Sequence, residues 1–220
     1  MKARFALVPI VLVAASATFV ALHPGIAYAE PRIARTSPTE ITQQASYTLD
    51  VQHADISFEI MHLGLSRTRG RFNKMSGKLV EDPKDLTKST VEFTAEVASI
   101  DTGIAARDTH LKTADFFDAA KYPTIKFKST KVEKKGDGYV VTGDLTMKDK
   151  TKSISIPFKH YGPLKMTVGD MSTRVGVVAA PIVIKRSDFG VGAQFKLPDG
   201  TEGASDNVTI QISFEAILDK

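Results

Sequence analysis

From Ser46 onward the chain sets apolar residues at every second position in short runs. Ile56, Phe58 and Ile60 share one face, as do Val91, Phe93, Ala95 and Val97, and again Ile154, Ile156 and Phe158. Their neighbours on the other face are mostly Ser, Thr, Glu and Lys. One apolar and one wet face marks antiparallel strands, because parallel strands buried on both sides read as continuous apolar runs. Candidate strands follow one another at 46–62, 66–80, 90–99, 124–133, 138–147, 153–161, 172–185 and 206–218. Gly136-Asp137-Gly138 separates two of them and supplies the positive φ angles of a short hairpin. The pattern predicts an all-β domain of eight antiparallel strands with one short helical excursion. Such strands can stack as a sandwich or close as a barrel, and periodicity alone does not choose. Closure at eight strands leaves an interior that side chains either fill or share with one ligand.

The excursion runs from Ser99 to Ser129. It carries the polar cluster Arg107-Asp108-Thr109-His110, passes through the apolar pair Phe116-Phe117, and ends at Tyr122-Pro123, after which Ile125 and Phe127 resume the alternation. Pro123 cannot continue a helix, so the return to strand is enforced locally. Connections longer than about 12–15 residues are usually functional or disordered. Thr113 is a candidate N-cap, with Asp115 in the first turn of a short helix. A helix bearing Phe116 and Phe117 would lie across one mouth of a barrel; the alternative is that both rings simply plug the core. Arg107, Asp108 and His110 have the residue types of acid–base chemistry. A structural role is the favoured reading, because the sequence names no nucleophile or metal beside them: Asp108 accepting backbone amides and Arg107 tying the excursion to the rim.

Ahead of the folded region, residues 1–29 open on Lys2 and Arg4, run apolar from Phe5 to Leu22 with interruptions at Pro9, Ser16 and Thr18, and close on Ala27-Tyr28-Ala29. That is the layout of a cleavable secretory leader. An uncleaved membrane anchor is the alternative, which the length of the run barely permits and Pro9 opposes. Residues 30–45 are polar, contain two prolines and show no period, as expected of a flexible spacer. The folded domain is expected over 46–220, with no stable membrane span once the leader is removed.

Charge and cysteine content narrow the function. Loss of Lys2 and Arg4 lowers the formal net charge from +4 to about +2, without any basic block, which argues against a nucleic-acid partner. With no cysteine, an exported fold must hold by its core alone, and roughly 175 residues suffice for one such domain.

Catalytic and metal chemistry have little support in the residue pattern. Outside the leader the histidines are His53, His62, His110 and His160, with no HExxH pattern and no pair at i and i+4. His53 and His62 on one extended strand would stand about 30 Å apart. His62 can instead offer a polar contact near one end of a pocket. Ser66 and Ser187 lack a nucleophile-elbow context. Gly190-Val191-Gly192 opens no helix and reads as a loop. Arg186 and Asp188 flank the end of the seventh strand, either as a rim ion pair or with Arg186 free to meet a pyrophosphate or other polar headgroup.

Several segments together carry a family resemblance. Tyr47-x-Leu49-Asp50-x-x-His53, Ile56-x-Phe58-x-Ile60-x-His62-x-Gly64 and Gly70-x-Phe72 resemble the opening of the YceI-like family. Ser99-Ile100-Asp101-Thr102, Arg107-Asp108-x-His110-Leu111, Asp115-Phe116-Phe117-Asp118 and Tyr122-Pro123-x-Ile125-x-Phe127 are similar to its most characteristic block. Gly143-x-Leu145-Thr146, Thr151-Lys152 and Arg186-x-Asp188-Phe189-Gly190 continue the match, which spans about 46–218 in order. One departure is the turn after Leu145-Thr146, where the family usually has glycine and this chain has Lys148-Asp149-Lys150. Asp149 is expected to take the left-handed strain there.

The resemblance implies a lipocalin-like eight-stranded antiparallel barrel, periplasmic or secreted, whose apolar channel holds a polyisoprenoid, a quinone-like lipid or a related long-chain amphiphile. No resident cofactor and no metal is expected, and no enzymatic activity. The tail contacts are expected from Ile56, Phe58, Ile60, Phe93, Val97, Ile125, Phe127, Leu145, Ile156 and Phe158, with Phe116 and Phe117 from the excursion and His62, Arg107 and Arg186 as polar contacts. Two rival readings stay open: an enzyme processing a lipid or pyrophosphate, and a ligand-free barrel acting as a stress-related interaction protein. A homodimer also stays open.

Overall fold

The computed structural model describes residues 43–220. The expected leader, 1–29, and most of the spacer, 30–45, lie outside the described residues. Strand structure begins with β1 (Ala45–His62) and continues through β2 (Ser66–Phe72), β3 (Met75–Glu81), β4 (Thr90–Glu96) and the two-residue β5 (Ile100–Asp101). The helix α1 (Ala105–Leu111) follows. Then come β6 (Thr124–Lys135), β7 (Gly138–Met147), β8 (Lys150–Lys165), β9 (Thr173–Ala179), β10 (Ile182–Lys185) and β11 (Ala204–Leu218).

Eight of these strands form a closed antiparallel ring in the order β1-β3-β4-β6-β7-β8-β9-β11, and β11 returns to β1. The return settles barrel against sandwich. It runs from Tyr47 opposite Leu218 to His62 opposite Ala204, nearly the whole length of β1. Closure removes the unpaired edges that an open sheet of this width would leave. The alternation predicted from sequence becomes the inside–outside pleat, apolar side chains inward.

Two expected strands are broken rather than continuous. The run 66–80 divides at Asn73-Lys74, where β2 ends against the upper half of β1 and β3 takes up its lower half. The run 172–185 divides at Ala180-Pro181, since Pro181 has no N–H for the ladder. Likewise the run 90–99 ends at Glu96, and Val97–Ser99 forms a 3-10 turn. β6 and β7 meet through Gly136 and Asp137; of the Gly-Asp-Gly pattern only Gly136 takes a positive φ, +60°, and Gly138 already belongs to β7.

The helix lies earlier than expected. Ala105 and Ala106 are strong helix formers, and Asp108 folds back to accept the amide and hydroxyl of Thr102, which fixes the first turn. Thr113 does not cap a helix start. Its hydroxyl donates to the His110 carbonyl, at 2.8 Å, and so serves the C-terminal end of α1. Phe116 and Phe117 therefore sit in the turns after the helix.

In the tight β7–β8 turn the left-handed residue is Lys148, at φ +57°, and not Asp149. Its ammonium donates to the carbonyls of Phe116 and Gly190, at 2.9 and 3.0 Å. The turn is thereby tied to two loops at the same end of the barrel.

Candidate functional site

The inward faces enclose a cavity of about 670 Å³ that runs from the segment 102–117 at one end to Glu81 and His160 at the other. Pockets that take small ligands span about 300–1,000 Å³ and are mostly apolar. Ile56, Phe58 and Ile60 from β1, Phe93 from β4, and Ile125 and Phe127 from β6 all line it. So do Leu145 from β7, Ile156 and Phe158 from β8, Phe116 and Phe117 from the excursion, and His62, Arg107 and Arg186. Val97 does not: it is only 2% exposed and packs behind the wall in its 3-10 turn.

Sequence reading missed much of the opposite wall. Val208, Ile210, Ile212 and Phe214 of β11, and Ile182 and Ile184 of β10, also border the cavity. The period-two row in β11 was a usable signal. Glu81 and His160 were missed as well.

At the excursion end the segment forms a lid. The ring of Phe117 meets Phe72 edge-on at 5.8 Å, and that of Phe116 meets His110 at 5.0 Å. Arg107 donates to the hydroxyl and the carbonyl of Thr102, at 2.7 and 2.6 Å. Because Thr102 directly follows β5, this anchors α1 to the strand that pairs with β2. The Arg-Asp-His cluster does not converge on a reacting centre. Asp108 is bonded to Thr102, whereas His110 turns outward to Asp115 at 3.0 Å.

The expected rim ion pair of Arg186 and Asp188 is not formed. Asp188 is exposed, and Arg186 is buried, donating to the carbonyls of Val191, Gly192, Ala193, Ala204 and Ser205 at 2.9–3.2 Å. A planar guanidinium satisfies a curved array of carbonyls that no shorter side chain could reach together. It holds the loop before β11 across the mouth.

A model of the YceI-like domain matches residues 47–216. A UPF0312 protein of Vibrio cholerae serotype O1 is 37% identical over 176 residues, covering 79% of this chain and 87% of its own. The chain belongs to the YceI-like family. Among solved structures, the Campylobacter jejuni YCEI protein is 32% identical with a TM-score of 0.62, covering 79% of this chain and 98% of its own. A polyisoprenoid binding domain from Saccharophagus degradans, 14% identical, shares the fold with a TM-score of 0.55 over 80% of this chain and 100% of its own.

This YceI-like barrel is closed differently at its far end. Tyr47, Leu79, Val175 and Ala216 pack there into a buried cluster. Burial, and then the negative charge of Glu81, push the Tyr47 phenol up to about 12. Glu81 accepts from or donates to His160 Nε2 at 2.7 Å, with side chains only 4% and 10% exposed.

On the outer wall of the YceI-like barrel, Asp50, His53 and Glu215 bring possible ligand atoms within 4.8 Å of one another. The guanidinium of Arg174 already occupies that space, 2.5 Å from Asp50 and 3.0 Å from Glu215. A fixed cation there opposes a metal ion. His53 and His62 occupy different parts of β1 and do not share a site. No helix among the described residues is long and apolar enough to cross a membrane.

Proposed function

We propose that this YceI-like protein is an exported carrier that sequesters a polyisoprenoid or similar long-chain amphiphile inside its barrel. The observation that carries the reading is the cavity itself: a continuous apolar interior of about 670 Å³, walled by strands and roofed by Phe116 and Phe117. A side-chain-filled barrel would leave no such space. A domain of the same fold from Saccharophagus degradans is polyisoprenoid binding, which supports a chain-like ligand. Burying ten methylene-sized groups at about 0.8 kcal/mol each supplies several kcal/mol without any specific contact. Selectivity for the tail is correspondingly loose.

Carriage is favoured over catalysis by the lid chemistry. Arg107 and Asp108 are committed to Thr102, and His110 to the exposed Asp115, so among the described residues the lid cluster sets no general base beside a nucleophile. Export rests on the leader-like layout of residues 1–29, and a periplasmic or secreted location follows from it.

Organic extraction of the purified protein followed by mass spectrometry tests the reading. A lipid present in stoichiometric amount is expected. An empty barrel that also fails to take up long-chain lipids would overturn it.

A further inference from the structure

We infer that Glu81 and His160 form a polar subsite at the far end of the cavity, built to receive a hydroxyl group on the innermost end of the bound molecule. The inference rests on the carrier reading and adds the chemistry of the ligand's deep end.

Both residues stand at inward positions that the pleat otherwise gives to apolar side chains. On β8 the inward row runs Ile154, Ile156, Phe158 and then His160; on β3 it runs Gly77, Leu79 and then Glu81. Their strands are not neighbours. Three strands separate β3 from β8 whichever way the ring is followed, so the contact bridges opposite walls of the barrel.

The contact uses only half of each side chain. Glu81 Oε1 meets His160 Nε2, while Glu81 Oε2 and His160 Nδ1 have no hydrogen-bond partner among the described residues. These free atoms are not sealed in. The one enclosed side-chain atom without a partner in the described region is Ser46 Oγ, so both border open space, and both residues line the cavity.

Proton bookkeeping then selects the guest. Oε2 is an acceptor in each protonation state of the pair. Nδ1 donates when the pair carries two protons, as carboxylate and imidazolium or as carboxylic acid and Nδ1–H imidazole, and accepts when it carries one. A hydroxyl can donate to Oε2 in every one of these states, and the doubly protonated pair presents one acceptor and one donor. A hydroxyl matches both at once, accepting from Nδ1 and donating to Oε2. An ether or ketone oxygen only accepts and leaves Oε2 unmet. A fully ionised phosphate or carboxylate can accept from Nδ1 but offers no proton to Oε2, so it sets oxygen lone pairs against Oε2 and fits the pair less well than a hydroxyl. The pair also has little reason to persist for stability alone, since a buried ion pair is often no better than apolar side chains of similar volume.

Full-length protein cleared of endogenous lipid provides the test, with displacement of the fluorophore N-phenyl-1-naphthylamine as the readout. The probes are 1-hexadecanol and hexadecyl methyl ether, which differ only in the hydroxyl proton and its methyl replacement. The protein is expected to bind the alcohol about tenfold or more tightly than the ether, the effect of one hydrogen bond to a buried charged group. The paired change Glu81→Leu with His160→Phe, which leaves no lone buried charge, is expected to bring the ratio near one while fluorophore binding persists. Equal binding of alcohol and ether by the unaltered protein overturns the subsite and leaves the carrier reading intact, whether or not the double variant folds. A preference that survives in a folded double variant also overturns it. Failure of the unaltered protein to bind either lipid or the fluorophore overturns the carrier reading, and the subsite with it.

Discussion

Arg186 donates to the carbonyl of Val191 at 2.9 Å and leaves the carboxylate of Asp188, two residues away, in solvent. The same guanidinium gathers four further carbonyls, those of Gly192 and Ala193 in the loop between β10 and β11 and those of Ala204 and Ser205 at the start of β11. The loop before β11 is thus fastened to a single cation, beside the buried Phe189 and Val191 that seat it in the core.

Replacing Arg186 should therefore damage stability and lid together. Arg186→Met removes hydrogen bonds from a charged donor, each contributing about 1.5–3 kcal/mol, and leaves buried carbonyls unmet. Several kcal/mol of lost stability is expected, measured by urea unfolding. Arg186→Lys should recover only part of it, because an ammonium cannot reach all five oxygens. Full recovery by lysine would show that charge alone, without the guanidinium geometry, suffices.

A second prediction concerns acid. Arg174 and Ser172 hold the Asp170 carboxyl down to about 2. Burial would raise that of Asp50, but bonds from His53 and Arg174 outweigh it and keep it below its ordinary value. Carboxyls depressed by folding stabilise the native state above their unfolded value, near pH 4, and that contribution is lost as pH falls towards about 2. Arg174→Met should thus be most destabilising at neutral pH, with the gap to the unaltered protein narrowing between about pH 4 and pH 2. Unfolding midpoints across that range check it; a gap that widens in acid would contradict the sign.

Much of this architecture was legible along the chain, and the failures share a cause. Alternation revealed the strands and most of the cavity wall because each strand carries its own period. It could not show that β11 returns to β1, or that Glu81 finds His160 across 79 residues, because those relationships exist only after closure. A charge at the end of an apolar run also reads as a strand reaching solvent. Arg186 and Asp188 look like an ion pair in sequence, yet the 3-10 turn Arg186–Phe189 separates their side chains. Thr113 followed by an acid looks like a helix start, although Ala105 and Ala106 had already begun the helix.

The Lys148 turn provides a third prediction that separates backbone strain from side-chain tethering. A non-glycine residue in the left-handed region costs roughly 1–2 kcal/mol, and here the ammonium bonds to Phe116 and Gly190 offset it. Lys148→Ala keeps the strain and loses the bonds. Lys148→Gly loses the bonds and the strain, so it should be the more stable of the two variants by about 1 kcal/mol. Thermal unfolding of the pair measures this directly, and an alanine variant as stable as the glycine one would mean the turn is not strained.

The lid itself can be pried open from Gly192. This residue has φ +71°, and a Cβ added there would stand 2.7 Å from ring carbons of Phe116 and 3.0 Å from Arg186 Nη1. Gly192→Ala therefore carries two separate costs: roughly 1–2 kcal/mol for the left-handed backbone and a clash that drives the Phe116 ring from its seat. Faster release of bound N-phenyl-1-naphthylamine in stopped-flow mixing is expected, along with lower stability. Phe116→Ala alone should also speed release, by removing the ring that roofs the cavity. Combining the two substitutions should cost less than the sum of their separate effects, because the clash disappears with the ring while the backbone strain remains. Strict additivity would show that Gly192 and Phe116 act independently, and release rates unchanged in all three variants would mean that ligand leaves by another route than this mouth.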